Sequence, residues 1–371
     1  MINRYVAVEE YMDPVSIRSE LPEDEGRSEM TESEQGFLCG VVRQFRPKKV
    51  VEIGIAAGGT SVVLLNCIQK LGLDADMYSV DLAERCYRDQ TKMSGHLLEY
   101  AAKNCGLDLS RHKFMLGEVV ARRLDEIGDG IDFLVLDTSH SLPGELLEFL
   151  VVFPYLKENA VVVLHDMRYQ FYGTINSRQG YATSCLFQTV VAKKFINHKT
   201  EHPNIAAFQI TEDTKKYLMD VFMGLMIPWK YMPDAEQLES YEAILNQCYP
   251  KECTNIYYQA KREMQALHDQ KIPLAELCGP FDGKRVLLYG TTETARRSFG
   301  YFRGRGIEIT GFVVSDGRKK KEIFEEKPVY YFSEVPYTKE ETLIINATGS
   351  KEVEETLRKS AWSWIKIGLM Y

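Results

Sequence analysis

The chain has 371 residues, 45% of them hydrophobic and 26% charged, with a formal net charge of −8. This length accommodates two domains, and the balance is that of an ordinary soluble globular protein. The acidic surplus argues against nucleic acid as a partner, because no basic field would draw a polyanion.

The dense basic run Arg318-Lys319-Lys320-Lys321 falls in an expected loop and reads as a solvated face. Cys39, Cys67 and Cys105 fall in apolar helical patterns, and no CxxC pair occurs. We therefore expect buried thiols in a reducing cytoplasm, not disulfides or zinc sites. No signal peptide opens the chain and no apolar run is long enough to span a bilayer, so a cytoplasmic protein without membrane insertion is expected.

Residues Met1 to Glu29 read as polar and irregular. Thr31-Glu32-Ser33-Glu34 has the form of a capping box and opens a helix with an apolar face of Phe37, Leu38, Val41, Val42 and Phe45. Val50 to Ile53 reads as a buried parallel strand that runs into Gly54-Ile55-Ala56-Ala57-Gly58-Gly59, with a helix starting near Thr60 and Ser61. Glycines let the backbone turn tightly and approach a ligand, and amides at a helix start hold polar or anionic groups. Glu52, at the end of that strand, would repel phosphate and suit a cationic ligand. Gly54-x-Ala56-x-x-Gly59 is also one residue away from a dinucleotide fingerprint, so that reading stays open.

A second strand, Met77 to Val80, ends in Asp81, where an acidic side chain can accept hydrogen bonds from ribose hydroxyls. A helix around Gly95 to Asn104 leads to a third strand, Lys113 to Leu116, and then to Gly117-Glu118. The fourth strand, Ile131 to Leu136, is continuous and apolar, as buried parallel strands are, and runs into Asp137-Thr138-Ser139-His140. A helix from Gly144 to Pro154 and a fifth strand, Ala160 to Leu164, lead to His165-Asp166. The alternation predicts a doubly wound α/β sheet with ligands at the carboxyl ends of its strands. Glu52, Asp81, Glu118, Asp137, His140, His165 and Asp166 all fall at those ends. Other histidines, His112 among them, show no partner pattern and are expected at surface or helix positions. Arg168 to Thr183, with Tyr169, Tyr172 and Tyr181, reads as a loop over the site, and Asn204 to Thr211 as a late strand.

This first domain spans residues 1–233 on the sequence pattern, followed by a helical connector at 234–280 and a smaller Rossmann-like domain at 281–371. In the last, Arg285 to Tyr289 leads to Gly290, the single glycine where a full fingerprint would have three. Thr292 and Ala295 hold the other two places, and Asp316 follows the next strand. Nucleotide binding and a scaffold or dimerisation role both stay open for this domain, and a homo-oligomer is expected.

Glu52-x-Gly54-x-x-x-Gly58-x-Thr60-Ser61, Asp81, Asp137-Thr138-Ser139-His140-Ser141 and His165-Asp166 together resemble class I S-adenosylmethionine-dependent methyltransferases. The similar branch is the one grouped with the cephalosporin-hydroxylase-like and macrolide-sugar O-methyltransferases, over roughly Thr31 to Thr211. The resemblance implies S-adenosyl-L-methionine as cofactor. Its methionine part would lie along Glu52, Gly54, Ala56, Gly58, Thr60 and Ser61, and its ribose at Asp81. Gly117 and Glu118 would lie near the adenine, with Leu82 and Asp137 also in the cofactor site. In that branch the strand-four segment is more often Asp-Gly-Asp-His; here Thr138 and Ser139 replace the middle pair. The second domain resembles the nucleotide-binding fold fused to bacterial sugar-modifying and polysaccharide enzymes.

The residues themselves suit methyl transfer to oxygen. A sulfonium is already a strong electrophile, so the protein must align donor and acceptor and remove a proton. Asp137 and Asp166 either share a hard divalent cation such as Mg²⁺ or are hydrogen-bonded carboxylates without a metal. His140, three residues past Asp137, is placed to take the proton, and His165 is given a supporting role. The expected function is O-methylation of a sugar, nucleotide-sugar or other small hydroxylated metabolite in a polysaccharide or natural-product pathway. The alternatives are an NAD-dependent oxidoreductase, motivated by the near-fingerprint glycines, and a non-catalytic nucleotide-binding assembly module.

Overall fold

The structure is a computed structural model that describes residues 5–22, 30–172, 180–201, 203–270, 284–303, 307–348 and 350–366. The chain divides into two units, residues 1–266 and 267–371. In the first, α1 (Glu32–Phe45) starts on the capping box: the Thr31 side chain accepts from the Glu34 amide, and the Glu34 carboxylate from the Thr31 amide. There follow β2 (Lys49–Ile53), α2 (Gly59–Lys70), β3 (Asp76–Asp81), α3 (His96–Asn104), β4 (His112–Leu116), the short α4 (Leu124–Ile127), β5 (Ile131–Leu136), α5 (Gly144–Val152) and β6 (Leu156–Leu164). After α6 (Ala182–Thr189) come β7 (Lys193–Ile196), β8 (Ala206–Gln209) and four helices: α7 (Glu212–Lys216), α8 (Met219–Gly224), α9 (Ala235–Cys248) and α10 (Lys251–Gln270).

With β1 (Tyr5–Ala7), the sheet runs β1-β7-β8-β6-β5-β2-β3-β4. Its strands from β6 to β4 are parallel, while β8 is antiparallel to both β6 and β7. Strand order reverses between β2 and β5, and the crevice for a ligand lies at the carboxyl ends of such a pair. Gly54 and Asp137 sit there, one step past the paired residues Ile53 and Leu136.

Two stretches differ from the sequence reading. The N-terminal region is not irregular: Tyr5–Ala7 pairs in parallel with β7, and Asp13–Glu20 forms a 3₁₀ helix that buries Val15 and Ile17. These elements are too short, and their apolar residues too interspersed with charge, to show a period. In the segment read as a connector, Tyr241, Ile244, Leu245, Tyr257 and Met264 enter the same apolar cluster as Leu146, Leu147 and Leu150 of α5. The expected break at 272–281 lies outside the described residues, as do positions 173–179 of the expected loop. Among the described residues no helix is long and apolar enough to cross a membrane.

The second unit is a six-stranded sheet of β9 (Arg285–Tyr289), β10 (Ile309–Val314), β11 (Ile323–Phe324), β12 (Lys327–Tyr331), β13 (Thr342–Asn346) and β14 (Ser363–Lys366). Its order is β11-β12-β10-β9-β13-β14, parallel throughout except for β11. Val286, Leu288 and Ile345 pack on one face, Leu287, Tyr289 and Ile344 on the other. A sheet buried on both faces, with helices at 293–303 and 351–359, is Rossmann-like.

Candidate active site

At the end of β2 the chain turns through Gly54, whose φ is +90°. A Cβ there would run into the carbonyl of Asp137, so only glycine lets the two strand ends lie this close. Gly58, at φ +92°, starts α2 with no side-chain cap. Asp81, at the end of β3, pins this turn: its Oδ2 accepts from the amides of Ile55 (2.8 Å) and Ala56 (3.2 Å), and its Oδ1 from that of Ala83 (2.8 Å). A carboxylate has about four lone-pair positions, so Oδ1 retains capacity for one more donor.

The turn opens into a cavity of ≈ 610 Å³, within the size range of small-molecule sites. Gly54, Ala56, Gly58, Thr60, Asp81, Leu82 and Glu118 line it, together with Asp137, His140 and Asp166. The last three gather their ligand atoms within 4.8 Å of one another. His140 Nε2 is 3.2 Å from Asp166 Oδ2 and 3.8 Å from Asp137 Oδ1, and its ring centroid is 4.7 Å from that of Tyr169. His140 and Asp166 both have left-handed backbones, at φ +53° and +55°. Non-glycine residues rarely hold such angles, and they concentrate where a side chain must be aimed. The His140 amide is fixed by donation to Glu145 Oε1.

A second tier supports these groups. Asp166 Oδ1 accepts from Tyr172 Oη (2.7 Å) and Asn204 Nδ2 (2.8 Å). His165, fully buried, has Nδ1 3.0 Å from Asp137 Oδ1 and Nε2 3.7 Å from Glu34 Oε2, an ion-pair distance but too long for a hydrogen bond. Burial disfavours an imidazolium at His165, yet the Asp137 and Glu34 carboxylates outweigh it and raise its pKa well above the usual value. The reciprocal effect, working against burial, lowers Glu34 to about 2 and holds Asp137 below the ordinary carboxylate range. His140 is largely enclosed, and the carboxylates of Glu145, Asp137 and Asp166 raise its pKa despite the loss of solvation. The Glu34 of the capping box thus helps to hold the charge that steadies Asp137.

Residues 51–167 match the family model described as a methyltransferase domain. Over this stretch the chain is similar to methyltransferase domains. A search of curated proteins returns no match. Among solved structures, an O-methyltransferase from Streptomyces achromogenes involved in tomaymycin synthesis, in complex with SAM, is 16% identical with a TM-score of 0.38, covering 55% of this chain and 92% of its own. A Bacillus cereus O-methyltransferase in complex with SAH is 14% identical with a TM-score of 0.37, covering 53% and 89%. The SAH-bound Podospora anserina methyltransferase is 11% identical with a TM-score of 0.41, covering 55% and 91%.

Not every residue the sequence points to lines the cavity of the first unit. Glu52 does not. It is fully buried and its Oε2 accepts from Ser61 Oγ (2.6 Å) and Ser79 Oγ (2.8 Å), beneath the turn. Ser61 is consumed in that bond, and Gly117 instead donates its amide to the Asp81 carbonyl at 2.9 Å. His112 is not a free surface residue: its Nε2 lies 2.9 Å from Ser79 Oγ, and burial lowers its pKa to about 4. Glu118 does line the cavity, with its carboxylate ion-paired to Arg122 (3.7 Å) and Arg123 (3.4 Å).

Other residues that line this cavity escape the sequence reading. Thr138, Leu147, Glu148, Tyr231, Gln237 and Tyr241 all face the same space. Their one sequence signal is Glu145 and Glu148, two acids three apart on the otherwise apolar α5. On a helix that spacing places both on one side.

Proposed function

We propose that the cavity holds S-adenosylmethionine with its ribose at Asp81, its methionine end along Gly54 to Thr60, and its methyl group turned toward Asp137, His140 and Asp166. There a hydroxyl acceptor receives the methyl group on oxygen. The observation that carries this reading is convergence: the spare capacity of Asp81, the uncapped start of α2 and the acid–imidazole cluster share one space. A cavity lined by Asp81, Asp137 and Asp166 favours a sulfonium cation over a phosphate-bearing dinucleotide.

Asp137 and Asp166 would hold a divalent cation. Two carboxylates less than 4.8 Å apart fit the oxygen-rich shell of a hard ion such as Mg²⁺, with His165 behind one and Tyr172 and Asn204 behind the other. When bound, such an ion supplies Lewis acidity that lowers the acceptor's pKa. The chain's own groups do the rest. Asp81 and the glycine turn fix the donor, and His140 Nε2, in its neutral form, takes the acceptor's proton. Tyr169, tilted against the His140 ring and lining the cavity, offers a ring face to a sugar or comparable small metabolite.

In the second unit a Cβ on Gly290 would lie 2.8 Å from Thr348 Cγ2, so the Thr348 side chain stands where a pyrophosphate would approach. This favours a scaffold role in a homo-oligomer for that unit. The free thiols at Cys39, Cys67 and Cys185 suit the reducing cytoplasm as the place of action.

Calorimetric titration of the full chain with S-adenosylhomocysteine, and separately with NADH, tests the reading. Saturable binding of the first alone is expected. Saturable binding of NADH alone would overturn it in favour of the oxidoreductase.

A further inference from the structure

We propose that Glu148 reads the nucleobase of the methyl donor, its free carboxyl oxygen accepting a hydrogen bond from an exocyclic amino group. This rests on the reading of the cavity as an S-adenosylmethionine site and assigns a specificity-determining residue within it.

The wall concerned is built by the loop after β4, by α5 and by α9. Val119, Val120, Leu147 and Tyr241 give it an apolar lining, and all four belong to the main core cluster, so the wall is rigid. Apolar walls suit the faces of a planar heteroaromatic ring, but the ring's polar edge still needs a partner. Glu118, which the sequence suggests for that end of the ligand, is already ion-paired to Arg122 and Arg123. Glu148 is not so engaged.

Its orientation follows from counting protons. Thr138 Oγ1 lies 3.1 Å from Glu145 Oε1 and 2.9 Å from Glu148 Oε2, yet a hydroxyl has one proton to give. Glu145 Oε1 also accepts from the His140 amide and lies 3.4 Å from His140 Nδ1, so Glu145 sits against donors and takes the Thr138 proton. The remaining contact is satisfied when Glu148 carries a proton on Oε2 and donates it to Thr138. Burial pushes the Glu148 carboxyl up to about 8 and the charge on Glu145 acts in the same direction, together outweighing the opposing pull of the Thr138 hydroxyl.

Glu148 Oε1 is then a carbonyl-like oxygen on a side chain that lines the cavity, with no protein partner among the described residues. It can only accept. An amino group on the base satisfies it, whereas a keto group at the same position sets acceptor against acceptor.

The test compares S-adenosylhomocysteine with S-inosylhomocysteine, which has a keto oxygen in place of the amine. Both are titrated calorimetrically into the full-length wild type, Glu148→Gln and Glu148→Leu, each checked for folding by its melting transition. Wild type should prefer the adenosyl ligand about tenfold or more. Glu148→Gln should keep that preference, because the amide nitrogen donates to Thr138 and its oxygen still faces the base. Glu148→Leu should bind the two ligands about equally, with Glu148→Met replacing it if the leucine variant does not fold. Equal binding of both ligands by wild type, or a preference that survives the apolar substitution, overturns the assignment. Failure of wild type to bind either ligand would instead sink the cofactor reading, which separates the two.

Discussion

Asp81 and Glu52 are the two carboxylates that the sequence places closest to the glycine turn, and they do opposite things. Asp81 holds the turn from above, accepting from three backbone amides at the edge of the cavity. Glu52 points down into a dry network in which Ser61 and Ser79 both donate to it. The alternation of a strand decides this, but in a strand buried on both faces the pattern does not say which side is up. The serines that receive Glu52 lie 9 and 27 residues away in sequence, so nothing local announced them. Asp81, by contrast, was legible because a strand end followed by a loop leaves a side chain only the ligand side to face.

Glu52 also carries a consequence for pH. Burial raises its pKa from 4.5 to about 7, against the opposing pull of its two serine donors. Between those values the folded chain keeps a proton that the unfolded chain has released. Glu52's contribution to stability is therefore full below pH 4.5, falls as pH rises, and is gone above about 7, with a limiting slope of about 1.4 kcal/mol per pH unit. Glu52→Gln cannot titrate. Its melting temperature should fall less than that of wild type between pH 5 and 7.5; parallel curves would show that Glu52 is ionised throughout.

Helix α9 shows how an element can be seen in the sequence and still be misjudged. Its period and its Asp234 capping box make the helix itself plain. Its partner is another matter, because apolar residues at Leu238, Tyr241, Ile244 and Leu245 fit a connector or an interface as well as a core. In the fold Tyr241, Ile244 and Leu245 pack in one cluster with α5, and Tyr241 reaches the cavity. Leu245 is 1% exposed within that cluster. Leu245→Ala should cost about 2–5 kcal/mol in denaturant unfolding, as large-to-small changes in a packed core do. A loss below about 0.5 kcal/mol would mean that α9 is only loosely attached. The βα alternation from β2 to β6 was legible for the opposite reason: continuous apolar strands and capped helices repeat often enough to define one another. Strand β1 has three residues, and no period can be read from three.

For the whole molecule, the cavity, its two tiers of acids and imidazoles, and the helices that close it all lie within residues 34–241. All of these residues belong to the first unit. A chain ending at Ala266 should bind S-adenosylhomocysteine within about threefold of the full chain, as measured by calorimetry, if the second unit serves assembly. Loss of binding would place part of the site beyond that point. The two α/β units were legible from their separate runs of strand and helix. The role of the second was not, since one glycine without its two companions fits a degenerate nucleotide site and a scaffold equally well.

The central claim is that a sulfonium cofactor spans the carboxyl ends of β2, β3 and β5, with its sulfur facing an acid–imidazole cluster. A crystal structure of the full chain with S-adenosylhomocysteine and Mg²⁺ tests it most directly. The account predicts a ribose hydroxyl on Asp81 Oδ1 and the ligand's sulfur directed at Asp137, His140 and Asp166. Ligand density elsewhere, or a sulfur turned away from those three side chains, would contradict it.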